Sequence, residues 1–193
     1  MIENVLARKG LSLRLKITVK GLISAGMCAL AVVLPQLFHL VAGAQSGVSW
    51  LPMYLPVLLG GCLLGWRWGL AVGVLSPVVS FLITSAFGNP MPIAARLPFM
   101  AAELAIFACV SGLFSKKIAK NGWFAFPAVL LAQLAGRSAF MISVLIFQSI
   151  TPFTPAVIWG QIQAGLYGMI LQVVAVPFVV MILRRLLIKG DDD

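Results

Sequence analysis

Long apolar runs, cut by short turns and bordered by lysine and arginine, leave this chain few ways to fold. A helix needs roughly 20 apolar residues to cross the hydrocarbon of a bilayer. Runs over about 21–42, 69–87, 96–115, 124–148 and 156–187 reach that length. A further run, 51–65, is short and carries Pro52 and Pro56. Of the 193 residues, 61% are hydrophobic and 10% charged, and the mean hydropathy is +1.06. A soluble domain carries about a quarter charged residues, and disorder needs low hydrophobicity, so neither class fits. An outer-membrane barrel would show alternating strands of about ten residues, and the sequence does not read that way. The expectation is an all-α membrane protein: one transmembrane domain over 1–193, with six helices and a short second one containing prolines.

Fourteen Lys and Arg face five Asp and Glu, a formal charge of +9. In a soluble protein that excess would suggest nucleic acid. Its placement argues otherwise. Arg8, Lys9, Arg14, Lys16 and Lys20 precede the first run, and Arg67 sits in a turn. Lys116, Lys117 and Lys120 sit in a short loop, and Arg184, Arg185 and Lys189 follow the last run. The opposite loops, about 43–50, 88–95 and 149–155, carry no charge. Six crossings put every basic segment on one side, which the positive-inside rule makes the cytoplasm. Both termini are therefore expected there, with the lipid bilayer rather than nucleic acid as the partner of the excess charge. A basic stretch, an apolar run and Ala42-Gly43-Ala44 outline a signal peptide, but the run exceeds the usual h-region of about 7–15 residues, so it is expected to be retained. Asp191 to Asp193 receive no role.

Cys28, Cys62 and Cys109 read as small core residues. With His39 as the one histidine, no metal or cofactor spacing exists. Gly61, Gly65, Gly69 and Gly73 recur every four residues, and Ala25 and Ala29 repeat that spacing on the first run. Such spacing lets helices approach closely in lipid, and for the glycines internal packing is the first reading.

Three charges lie inside or at the mouth of the spans: Arg96, Glu103 and Arg137. Each costs at least about 2.5–3.5 kcal/mol at membrane depth, so each is expected to pair or face a cavity. Arg96 and Glu103 are seven apart and share a helix face, while Gln133, Arg137, Met141, Val144 and Gln148 form a stripe. The helical rise puts Glu103 roughly 11 Å and Arg137 roughly 16 Å from the outer ends, with Gln161 entering to a similar depth. One reading is a Glu103–Arg137 pair that locks two helices. The other is a polar pocket open to the outer face. There Arg137 or Arg96 takes a substrate anion, Glu103 accepts from substrate donors, Gln133 and Gln161 supply amides, and Trp50, Tyr54 and Trp159 stack or roof the site. His39 reads as an interfacial polar residue. No His-based dyad, paired carboxylates or Gly-x-Ser-x-Gly elbow is present, so an enzyme is not expected. The chain has no phosphate loop, so concentrative transport would need an ion gradient or a separate ATPase.

The stretch from Trp50 to Gly61, Trp-Leu-Pro-Met-Tyr-Leu-Pro-Val-Leu-Leu-Gly-Gly, followed by Gly69 to Pro77, resembles the substrate-binding S-components of energy-coupling factor (ECF) vitamin transporters. Members often read Leu-Pro-Met-His-Ile-Pro-Val-Leu-Leu, and this chain carries Tyr54 in place of the His. Phe99-Met100-Ala101-Ala102-Glu103-Leu104 and Ala135-Gly136-Arg137 are similar to further family stretches. The resemblance implies capture of a vitamin-like micronutrient, such as a B vitamin, at the extracellular face of a bacterial cytoplasmic membrane. It implies delivery inward with a transmembrane T-component and two cytoplasmic ATPases. It also implies that Ala25 and Ala29 contact the T-component. The alternatives are a self-sufficient secondary carrier or channel, a membrane enzyme, or a structural subunit.

Overall fold

A computed structural model describes residues 12–43, 49–147 and 153–189, together with residues 2, 6 and 149. Arg8, Lys9, Gln148 and Asp191 to Asp193, named above for their charge or spacing, lie outside the described residues, as do parts of the first and last uncharged loops. The described residues are helical, without strands. The helices are α1 (Leu13–Ala42), α2 (Tyr54–Leu64), α3 (Trp66–Ala86), α4 (Leu97–Leu113), α5 (Ser115–Lys120), α6 (Ala125–Phe147), α7 (Pro155–Ala164) and α8 (Leu166–Lys189). Short 3-10 turns, Ala94–Arg96 and Gly122–Phe124, lead into α4 and α6.

Among the described residues, five segments are long and apolar enough to cross a membrane: Leu13–Val41, Trp66–Ala86, Ala94–Leu113, Gly122–Phe147 and Leu166–Leu187. Their outward faces carry exposed Leu, Ile, Val and Phe, as lipid contact requires. The 11-residue α2 is different. At a rise of about 1.5 Å per residue it spans only about half of a bilayer core. Every residue of α2 except Leu55 is buried, so it lies inside the bundle rather than at its lipid face. It has no polar stripe because it has no solvent face.

Glycines set how closely α2, α3 and α4 approach. A Cβ on Gly69 would lie 2.9 Å from Gly61 Cα, and one on Gly73 would lie 2.5 Å from the Leu104 carbonyl oxygen. The four-residue spacing thus marks internal crossings. Gly65 joins α2 to α3 at φ +87°, a conformation that favours glycine. Its N–H donates to the Gly61 carbonyl and closes α2.

Two elements differ from the sequence expectation. The run 156–187 is two helices, α7 and α8, separated at Gly165. Glycine is tolerated within an apolar pattern, so hydropathy alone carries no mark of this joint. The loop holding Lys116, Lys117 and Lys120 forms α5. Ile118 and Ala119 are buried, and Arg184 of α8 satisfies the helix end, donating from Nε to the Ala119 carbonyl (3.1 Å) and from Nη2 to that of Lys120 (2.9 Å).

Candidate substrate site

A cavity of about 430 Å³ opens where α1 ends and α2 and α4 begin. Its walls come from six places, one of them Ser80 on α3. Pro35, Gln36 and His39 approach from the last turns of α1. Leu51, Pro52, Met53 and Tyr54 form the entry to α2, and Arg96 and Met100 the entry to α4. Asn89 to Ile93 come from the α3–α4 loop, and Phe153 and Gln161 from in front of and within α7. The lining is mainly apolar, with a few convergent polar groups, as in small-molecule sites.

Those polar groups are notable for what they lack. Gln36 Nε2, His39 Nδ1, Arg96 Nε and Gln161 Oε1 are all buried and have no hydrogen-bond partner. Buried polar atoms are normally paired, because an unpaired one costs about 1–3 kcal/mol. Four such atoms on one cavity, three donor-capable and one an acceptor, are a set that an occupant can satisfy.

Beneath this cavity lies the pair anticipated from the sequence. Arg137 Nη1 is 2.9 Å from Glu103 Oε1. Tyr54 Oη donates to Glu103 Oε2 at 2.9 Å. The Arg137 guanidinium sits 5.0 Å from the Tyr54 ring centroid, and the ring meets Phe107 edge-on at 5.2 Å. Glu103 and Tyr54 are 1% and 2% exposed. Neither Glu103 nor Arg137 lines the cavity; Tyr54 does, so one aromatic ring separates the charges from it. Nε and Nη2 of Arg137 have no partner. The pair lies beneath the floor, and Arg96 is the cation at the wall. Arg96 also lies 5.8 Å from the Phe140 ring centroid.

The other expected site residues fall elsewhere. Gln133 faces α8, not the cavity, and donates to Gln172 Oε1 (3.1 Å) and the Met169 carbonyl (3.3 Å). Gln172 donates in turn to the Leu51 carbonyl at 2.9 Å. Leu51 adopts φ +49°, a strained value for a side chain of its size, just before the cavity-lining Pro52 to Tyr54. Gln133 thus supports the α2 entry through Gln172. Trp50 packs near Phe38 at 6.4 Å, is 40% exposed and does not line the cavity. Trp159 is 57% exposed and does not line it either.

Sequence reasoning missed Gln36, His39 and Phe153 as wall residues. It also missed how the α3–α4 loop is fixed. Ser80 Oγ donates to the Met91 carbonyl (2.8 Å), and Met91 N–H donates to Thr84 Oγ1 (2.7 Å). Both hydroxyls lie on α3 one turn apart, a spacing that could have signalled a paired anchor. Phe153 meets Phe99 edge-on at 6.3 Å, which holds the approach to α7 against α4.

Residues 20–180 match the family of substrate-specific components of ECF transporters. The chain belongs to that family. No curated protein and no solved structure matches it. An ECF substrate-specific component is a transport subunit, which agrees with the apolar helices of a multi-pass membrane protein. The cavity bounded by α1, α2, α4 and α7 combines open volume with unpaired buried polar atoms.

Proposed function

We propose that the 430 Å³ cavity binds a vitamin-like micronutrient at the extracellular face and that a T-component and two cytoplasmic ATPases drive its delivery inward. The observation carrying this reading is the convergence of Gln36 Nε2, His39 Nδ1, Arg96 Nε and Gln161 Oε1, unpaired and buried, on one cavity. Arg96 supplies the cation for an anionic or acceptor group of the substrate, and Gln161 accepts from a substrate donor. The proline, methionine and phenylalanine walls take an apolar or ring-shaped body. Glu103 and Arg137 contribute indirectly, by fixing Tyr54 in the floor. A volume near the low end of ligand pockets, about 300–1,000 Å³, favours a substrate of B-vitamin size over a much larger corrinoid.

The charge pattern supports a six-crossing topology with both termini cytoplasmic. Lys20, Arg67 and Lys116 line one cavity, and Arg184 binds the carbonyl of Lys120, so basic residues from both ends of the chain and both basic connections share one end of the bundle. The substrate cavity occupies the other. In this topology α2 serves as the second, shortened crossing, and the host is a bacterial cytoplasmic membrane.

Ala25 and Ala29 support the partner assignment. Both are exposed on α1, as is Gly26 between them, and no atom approaches Gly26 within 4 Å where a Cβ would stand. The buried glycines of α2 and α3 do their packing inside the chain; this alanine face is exposed among the described residues, and its small side chains let another helix approach closely. The reading is tested by uptake of the substrate into cells or liposomes. Accumulation requires co-expressed T-component and ATPases, and accumulation by this chain alone would overturn it.

A further inference from the structure

A second cavity, of about 500 Å³, opens at the opposite end of the bundle. Lys20 of α1, Arg67 of α3 and Lys116 of α5 line it, and among the described residues no acidic side chain does. Gly65 to Trp68, the start of α3, form one wall. That 21-residue helix begins without a side-chain cap, so the positive end of its dipole adds to the cations around it.

Lys20 and His39 stand on the same helix, one at each cavity. The nineteen helical steps from one to the other correspond to about 28 Å, close to the roughly 30 Å of a hydrocarbon core. The basic cavity therefore lies at headgroup level on its side of the bilayer. Its rim is amphipathic: Trp66 is 46% and Leu113 66% exposed, beside the charges of Arg67 and Lys116.

From this we infer that the cavity is a binding site for the phosphodiester headgroup of one anionic phospholipid, with the acyl chains lying against Trp66 and Leu113. Arg67 offers a fork to phosphate oxygens and Lys116 a compact charge. The same cations repel the ammonium of a zwitterionic lipid, which makes the site selective. A free anion would fill the charges and leave the apolar rim without a role.

Native mass spectrometry of the delipidated full chain tests this, using an equimolar mixture of phosphatidylglycerol and phosphatidylcholine with identical acyl chains. One phosphatidylglycerol should be retained with at least about tenfold preference, the energy of one charge-assisted contact. The Arg67→Gln/Lys116→Gln variant should lose that preference and Lys116→Gln alone should lose part of it, while binding at the other cavity stays unchanged as a check of folding. Equal retention of the two lipids, or unchanged preference in the double variant, would overturn the inference. Displacement of the lipid by millimolar inorganic phosphate would overturn it too, by showing a site for a free anion.

Discussion

The hydroxyl of Tyr54 donates to Glu103 at 2.9 Å, and together with the Arg137 guanidinium over the Tyr54 ring this bond ties the cavity to the charges buried beneath it. Tyr54 opens α2 and lines the cavity, while Glu103 lies two turns below Arg96 and is paired with Arg137.

Replacement Tyr54→Phe keeps the ring and removes the donor. Glu103 Oε2 then lacks its tyrosine hydrogen bond, a loss of about 1.5–3 kcal/mol for a bond to a charged group. Thermal unfolding of the detergent-solubilised protein should shift down, with ligand affinity changing less than it does in Tyr54→Ala. An unchanged melting temperature would show that the hydroxyl does not matter to the buried pair.

Removing either charge of the Glu103–Arg137 pair should be worse than removing both. A single loss leaves an uncompensated buried charge and costs about 3–5 kcal/mol, whereas apolar replacement of a whole pair is often close to neutral. Glu103→Leu and Arg137→Met alone should lower the melting temperature strongly, and the double variant should recover much of it. Additive losses, measured in a double-mutant cycle, would contradict coupling of the two charges.

The glycine crossings give a packing prediction. In Gly73→Ala the new methyl meets the Leu104 carbonyl, forcing α3 from α4. Such overpacking costs about 1–3 kcal/mol. Gly26→Ala on α1 meets nothing within 4 Å and should leave the isolated chain unchanged in the same unfolding measurement.

Ala25→Trp separates binding from transport. The side chain points away from the bundle, so ligand affinity should stay within about twofold, while uptake by the assembled transporter should fall at least tenfold, the effect of about 1.4 kcal/mol or more at a packed interface. Normal uptake would remove Ala25 from the partner surface.

Much of the fold was legible because the hydrocarbon imposes it: run lengths and basic flanks define membrane helices wherever they occur. The cost of intramembrane charge likewise singled out Arg96, Glu103 and Arg137. What periodicity could not give was the neighbour. Gln133 and Arg137 share one face of α6, yet one reaches Gln172 of α8 and the other Glu103 of α4. Gln36 and His39 were hidden for another reason. Polar residues near a helix end read as interfacial, and only the fold shows the last turns of α1 leaning over the starts of α2 and α4. Trp50 and Trp159 were read as residues that stack on or roof the site; they are 40% and 57% exposed and stand outside the cavity lining.

We place the substrate in the cavity between α1, α2, α4 and α7. Native mass spectrometry of the purified chain, comparing wild type with the Arg96→Met/Gln161→Leu variant, tests it most directly. One small molecule should be retained per chain in wild type, with at least about tenfold lower occupancy in the variant, since two polar contacts together are worth at least about 1.4 kcal/mol. Equal occupancy in both would place the ligand elsewhere and rule this cavity out as the substrate site.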